Sequence, residues 1–490
     1  MPTVNPTGFS AAFDSSNVEM AFARESTWGT IPASVGQGIR LLGESLTETR
    51  SRTRPAEINS TGQASAALTT KVEAGGAINI GISPGATAAT YGTYDQLFLG
   101  MLNAGGSGAG EWSVPVKVVA AGATSLAVTA PGTISASPSG GISLDGAATG
   151  YPGITRIAGT WFADNYQVGD WIKCTGFTLT NAATIGTTAA PKYWRIVGMS
   201  TDGKKIAIDG PGMSSILAVA ADTAGIVESG GSIRNGTNTH SYTFEKKVAT
   251  GKYLAYPGTY ISGGSLSASL GGFVEGSLSL LAKGETTGPT SAAGGAPGGD
   301  GSHSVFTADA YTAAPTAKII DTISGIGMAA LGYDNTGSGA WSWADVLTTG
   351  SALASVLQGF NVNITKNNAR QQFGIGDTNA KGIGKGTFQA DGKMQMYFSD
   401  FTLYAKYKAE ATFVVSFRLM NSAGKGYFIT MPGVTLMNPN IVAGGPDTDM
   451  VADFTLEANP GFSTPVALVG NLVTTTGAEM SPYTMSMTRF

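Results

Sequence analysis

The chain carries little with which to do chemistry. Its 490 residues include one cysteine and two histidines. A lone Cys174 cannot make an internal disulfide and favours folding in a reducing compartment. Its place beside Trp171 and Ile172 reads as a small, half-buried strand position. No His, Cys and Asp gather at metal-ligand spacing. His303 lies in a glycine-rich stretch and His240 just before a strand pattern, and no Gly-x-Ser-x-Gly elbow accompanies either, so a Ser-His-Asp arrangement is not expected. Charged residues make up only 13% of the chain, against about 25% in an ordinary soluble domain. Ser, Thr, Gly, Asn and Ala must therefore cover most of the surface, as suits either a protein buried against copies of itself or an extracellular β protein. The net charge of −4 excludes a strongly basic, phosphate-neutralising nucleic-acid binder. No run of about 18 apolar residues offers a membrane span. Met1 to Pro6 has neither the basic n-region nor the apolar core of a secretory signal.

Several glycine patterns resemble ligand sites and fail on inspection. Gly382 to Gly386 resembles a phosphate loop, but Lys385 is followed by Gly386 rather than Ser or Thr, and no helix pattern follows. Gly298 to Gly301 resembles a calcium-binding repeat yet occurs once, where such sites need stacked arrays. Asp447 and Asp449 have no partner pair elsewhere. No catalytic residue, cofactor or metal site is expected, and the chain does not read as an enzyme.

What the chain does contain is the same unit twice. Leu41 to Ile80 aligns without a gap with Leu357 to Met396, at a constant offset of 316. Leu41, Gly43, Thr49, Arg54, Ala64, Ala74 and Gly76 recur as Leu357, Gly359, Thr365, Arg370, Ala380, Ala390 and Gly392. A second pair, Tyr253 to Gly258 against Phe428 to Gly433, stands at an offset of 175. The two offsets differ by 141, so the first copy carries an insertion of that size, placed roughly at 102–241. Internal repeats dictate architecture and are read before other signals.

The local grammar is period-two alternation between short glycine turns, the mark of antiparallel strands with one buried face. Gly76 to Ile82 and Gly392 to Phe398 are corresponding strands; so are Gly276 to Leu280 and Asp453 to Leu456. Helical signal is sparse. Leu97, Phe98, Met101 and Leu102 share one face of a short helix, and a more polar counterpart falls near Phe401 to Ala411. The insertion has strands of its own at Phe162–Phe177, Tyr193–Met199 and Lys205–Asp209. The run Thr286 to Gly301 reads by composition as a flexible linker. The fold class is mainly β: two tandem sandwich or barrel domains, each with a short flanking helix, plus an inserted small β domain. The boundaries read as 1–112 and 236–285 for the first unit, 113–235 for the insert, 286–315 for the linker, 316–475 for the second unit and 476–490 for the tail.

One charged cluster stands out. Arg50, Arg52 and Arg54 lie close to Glu48 and Glu57, and the second copy holds Lys366 and Arg370 at the matching places. This is either a solvated hairpin arm or an arm that reaches a neighbouring subunit, where Arg pairs bidentately with carboxylates. The repetition of Arg54 as Arg370 favours the second.

An ordered set of segments resembles the major tail tube proteins of long, non-contractile-tailed bacteriophages. It comprises Ala23 to Thr30 with its Glu25-x-x-Trp28-Gly29-Thr30 core, the strand Leu41 to Arg54, Tyr94 to Phe98, Tyr242 to Glu245, Tyr253 to Gly258 and Leu266 to Leu280. The resemblance covers nearly the whole chain; the duplication departs from the single-unit majority. It implies a structural virion protein, made in the host bacterial cytoplasm, that polymerises as stacked rings around a DNA channel. Rings of this family usually hold six units, so a doubled chain implies three copies in a pseudo-sixfold ring. The implied partners are further copies of the chain, the tape-measure protein and genomic DNA in the lumen, and the tail terminator and tail-tip proteins; no membrane is implied. The insert is expected on the outside. The rival reading is a β-sandwich adhesin or virion decoration protein that binds host glycans, for which Trp341 and Trp343 would be the aromatic platform.

Overall fold

The computed structural model describes residues 15–84 (except 59 and 61), 93–105, 225–291, 297–322 (except 316), 357–398, 401–460 (except five single positions) and 483–490. It also describes strands and short stretches between 133 and 222, and 330–334 and 341–345. The chain is mainly β.

The first half begins with strand β1 (Glu19–Arg24), followed by β2 (Leu41–Glu44), β3 (Thr47–Thr53) and β4 (Leu68–Gly81). Helix α1 (Thr93–Leu102) comes next, and then β5 (Tyr242–Ala249), β6 (Lys252–Ser269) and β7 (Glu275–Ala282). The second half holds β8 (Ala330–Asp334), β9 (Leu357–Asn367), β10 (Thr387–Tyr397), helix α2 (Thr402–Lys408), β11 (Thr412–Met420), β12 (Gly426–Val442) and β13 (Val451–Ala458), and the chain ends in β14 (Ser486–Arg489).

The halves pair their strands in the same order. In the first, β2 and β3 pair with β4, then β4–β7, β7–β6, β6–β5 and β5–β1 follow, all antiparallel. In the second, β9–β10, β10–β13, β13–β12, β12–β11 and β11–β8 follow, again all antiparallel. Two of the irregularities coincide as well. A register shift between Leu41 and Gly43 recurs between Leu357 and Gly359, and one between Tyr242 and Phe244 recurs between Phe413 and Val415. Bulges re-aim a strand and are specified features rather than noise. The one at Leu41 and Leu357 lies inside the gap-free alignment and is compatible with it.

Long β6 pairs with β5 over its first part and with β7 over its second, so it carries the chain from one sheet into the other, as a sandwich corner does. No closed barrel forms among the described residues, because the outer edges of β2 and β3 stay open; the barrel alternative gives way to open, packed sheets. The sheets enclose one core rather than two. Ile78, Ile80, Phe98 and Leu266 of the first half belong to the same buried cluster as Val362, Met394, Phe417 and Phe454 of the second. Alternation supplies it: Ile78 and Ile80 face inward while Asn79 between them is exposed. Helix α1 buries Leu97, Phe98, Met101 and Leu102, the stripe anticipated from spacing.

Two sequence motifs explain each other. The carboxylate of buried Glu25 accepts from Gly29 N, Thr243 Oγ1 and Gly258 N, each at 2.7 Å, and Trp28 Nε1 donates to Gly258 O at 3.1 Å. The N-terminal motif thus clamps Gly258, which turns at φ +65°, where a side chain would be strained.

Eight short strands between Thr133 and Ser229 form a separate sheet with its own core of Trp161, Tyr166, Ile172, Cys174, Trp194 and Ile196. It does not stand free of the rest. Trp171 stacks on Phe428 at 4.6 Å and donates to Thr430 Oγ1 at 2.9 Å, and Tyr193 leans on Phe428 and Phe490. Most of the stretch 103–150 lies outside the described residues.

The glycine-rich run between the halves is also less free than its composition reads. Buried Glu245 accepts from Ser304 Oγ at 2.5 Å, Val305 N at 2.6 Å and Tyr311 Oη at 2.7 Å, and Phe306 is buried. Composition cannot show this, since the carboxylate that holds the segment lies about 60 residues upstream.

Candidate assembly seam

The halves meet edge to edge. Strand β6 of the first half pairs antiparallel with β9 of the second, from Gly263 opposite Thr365 to Ser269 opposite Gly359. Just past the paired stretch, Lys366 turns inward and is only 3% exposed. Its Nζ donates to Gly100 O at 2.7 Å, Asn103 Oδ1 at 2.8 Å and Ile261 O at 2.6 Å, and sits 4.3 Å from the centre of the Tyr260 ring. Gly100 belongs to the last turn of α1, where unpaired carbonyls concentrate partial negative charge. Burial pushes the Lys366 ammonium well below the usual lysine range, so the three oxygens are what make its position tenable.

Two further contacts line this seam. A Cβ on Gly359 would meet Ala268 O of the first half at 3.1 Å. Beyond β9 the chain forms an arm, Arg370–Gln372 paired with Gly382–Gly384, which lies against the first half. Val72 N donates to Thr378 O at 2.9 Å, Gln371 Nε2 donates to Ala74 O and Ala282 O, and Ala380 is fully buried.

The repeat mates of these three seam residues are open. On Gly43, mate of Gly359, a Cβ would find Asn79 Nδ2 at 3.7 Å and nothing closer. Arg50, mate of Lys366, is 68% exposed and among the described residues pairs with Glu48, at 2.7 Å. Ala64, mate of Ala380, is exposed. Arg50 nevertheless shares the inward phase of alternation with Leu46, as Lys366 does with Val362. Among the described residues β2 and β3 pair only with β4. At the other end of the molecule, Asn440 to Val442 of β12 pair only with β13, although their counterparts in β6 carry β9 on the second edge.

Of the residues anticipated as an arm, Arg50, Arg52 and Arg54 lie together on the exposed β3 hairpin, where Arg52 donates to Ala67 O at 3.0 Å. Arg370 is exposed on the second arm and donates to Asn368 O at 3.2 Å. Lys366 is not on an exposed arm; the first half covers it. Gly359 and Ala380 were not anticipated as seam residues, although their identity with Gly43 and Ala64 was the available signal.

The residues weighed for chemistry have structural places. His240 is buried with Nε2 at 2.6 Å from Ala104 O, and burial lowers its pKa. His303 pairs with Asp309 at 2.5 Å. Cys174 is fully buried rather than half-buried, and burial pushes its thiol pKa up. Gly382–Gly384 is an arm strand with no helix behind it, and Asp447 and Asp449 are exposed. No group of three or more metal-capable side chains forms among the described residues. The side chains of Trp341 and Trp343 lie outside the described residues.

Two like-ordered β halves are joined edge to edge, and among the described residues the β2–β3 edge and the end of β12 carry no second strand. A family model described as phage tail tube protein matches residues 15–458, and the chain belongs to that family. It is a structural component of the phage tail. A search of curated proteins finds no match.

Proposed function

We propose that this chain is the major tail tube subunit of a long, non-contractile-tailed phage, and that it arose by tandem duplication with a β domain inserted into the first copy. Three chains form a pseudo-sixfold ring, and stacked rings make the channel through which DNA leaves. The β6–β9 seam carries this reading. It joins two different faces of one repeated unit, and a head-to-tail contact of that kind generates rings when its rotation closes. The free β2–β3 edge and the free end of β12 are the same two faces left unused. Joining them removes exposed edges that would otherwise aggregate. The second copy's arm on Val72 supports a like placement of the first copy's arm on the next chain. The tape-measure protein, the genome, the tail terminator and the tail tip are the remaining partners of such a tube. The modest negative net charge keeps passing DNA from sticking.

Electron microscopy of the purified protein tests this. Hollow striated tubes with three chains per ring are expected. Monomers alone, or rings of six chains, would overturn the assembly or its stoichiometry respectively.

A further inference from the structure

The two seams of such a ring are built from the same sheet edges but not from the same side chains, and the difference points to one residue pair. The second half has a counterpart for each of the three groups that accept from Lys366, while Thr435 stands where the first half has the Tyr260 ring. Asn103 ends α1 at φ +49° with its N–H toward Gly100 O; Glu410 ends α2 at φ +48° with its N–H toward Tyr407 O. Ile261 stands opposite Leu280 in the sheet, and Leu436 stands opposite Leu456 in the matching register. The pocket that would receive Arg50 is therefore walled by Tyr407 O, Leu436 O and the Glu410 side chain. Glu410 is exposed in the single chain and forms no ion pair among the described residues.

We propose that Arg50 of one copy enters the second half of the next copy and pairs with the carboxylate of Glu410. The proposal rests on the ring reading above and adds the groups that close it. Where the internal seam sets a lysine against a neutral amide, the external one sets an arginine against a carboxylate at a helix C-terminus. The change suits the difference in task. The internal seam forms once, within one chain, so its partners need no steering. The external seam must be found by diffusion and held in one register, which a complementary, bidentate charge pair provides. It also directs traffic: the Asn103 pocket is already filled by the chain's own Lys366, so Arg50 has one vacant pocket of matching charge. The backbone register follows from the internal seam, with Asn440, Ile441 and Val442 opposite Thr47, Leu46 and Ser45 of the neighbour. Gly43, two residues before this stretch, lies at the same place in the repeat as Gly359 beside Ala268.

Charge reversal tests the pair. Glu410→Arg leaves the thermal unfolding of the monomer unchanged, and Arg50→Glu lowers it only slightly, since the Arg50–Glu48 pair it removes is solvent-exposed. Each raises the protein concentration needed for tube formation by about ten- to a hundredfold, since it sets like charges face to face. The double variant assembles at near wild-type concentration. Single variants that assemble like wild type, or a double variant no better than its parents, overturn the pair while leaving wild-type tubes as support for the ring. A wild-type protein that forms neither rings nor tubes overturns both. As a second measurement, Thr47→Cys with Asn440→Cys is oxidised after assembly. Covalent oligomers on a non-reducing gel are expected, with the native Cys174 buried and silent. Tubes that yield only monomers overturn the register.

Discussion

Arg489, in the last strand, pairs with Asp95, in the first turn of α1, although 394 residues separate them. Both side chains are buried, and Tyr427 Oη donates to the same carboxylate at 3.0 Å. The pair ties the helix of the first half to two strands of the second, since β14 lies along β12. The shared core and this ion pair join the two halves.

Breaking that pair is expected to be expensive. Arg489→Met leaves the Asp95 carboxylate buried without its guanidinium and should cost about 3–5 kcal/mol. Asp95→Leu combined with Arg489→Met should cost less than the two single changes added, by a coupling of about 1–3 kcal/mol. Urea unfolding of the four proteins reads this as shifts in midpoint at constant slope. Strict additivity would mean that the two charges do not sense each other.

Glu245 gives a dependence on pH. Its folded pKa is raised, chiefly by burial, with the bonds from Ser304, Val305 and Tyr311 opposing. A carboxyl whose pKa is raised on folding binds its proton more tightly in the native state. Its contribution to stability is therefore complete below the unfolded value of about 4.3 and is lost as pH rises through the folded pKa. Glu245→Gln removes this titration, and its carboxamide can still accept from Val305 N while donating to the Ser304 or Tyr311 hydroxyl. The melting temperature of wild type minus that of the variant should fall as pH is raised from 4 toward neutrality. A difference that grows instead would reverse the sign.

Much of the fold could be read in the sequence because register leaves a strong trace. A one-residue slip turns every side chain to the other face, so two hairpins of the same register and bulge align without gaps, as Leu41–Ile80 does with Leu357–Met396. The α1 stripe of Leu97, Phe98, Met101 and Leu102 was legible for the same kind of reason. Lys366 shows the limit. Alternation places it inward beside Val362, but whether that face meets solvent or another sheet depends on β6, about 100 residues earlier. Arg50 carries the same local pattern and is exposed. The pinning of Ser304 and Tyr311 by Glu245, and the stacking of Trp171 on Phe428, are likewise contacts that no local pattern encodes.

The glycines shared by the copies divide into two kinds. Gly76 turns at φ +149°, and a Cβ there would meet Ser45 O at 2.4 Å, a backbone atom that cannot swing aside. Gly76→Ala should destabilise the monomer by about 1–3 kcal/mol through overpacking. Gly43→Ala meets nothing close in the single chain, so its unfolding midpoint should stay within about 0.5 kcal/mol of wild type, while assembly suffers. Equal destabilisation of the monomer by both would show that Gly43 is held by internal packing.

The insert offers the sharpest structural contrast. A deletion of 113–235, bounded by the sequence pattern alone, removes Gly231–Arg234, which pairs with β14 from Gly231 opposite Arg489 to Arg234 opposite Ser486. A deletion of 113–229 keeps that strand and loses the docked sheet. Both expose Phe428 and Phe490 by removing Trp171 and Tyr193, a loss on the scale of a large-to-small aromatic change, about 3–5 kcal/mol. The longer deletion also strips one edge from β14 and with it support for Arg489 on Asp95. The shorter deletion should therefore melt higher and still form tubes, more so when Phe428→Thr makes the uncovered face polar. Circular dichroism melts and micrographs of both proteins decide the matter. Equal melting temperatures would show that β14 needs only β12, and tubes from neither would make the insert part of the assembling body.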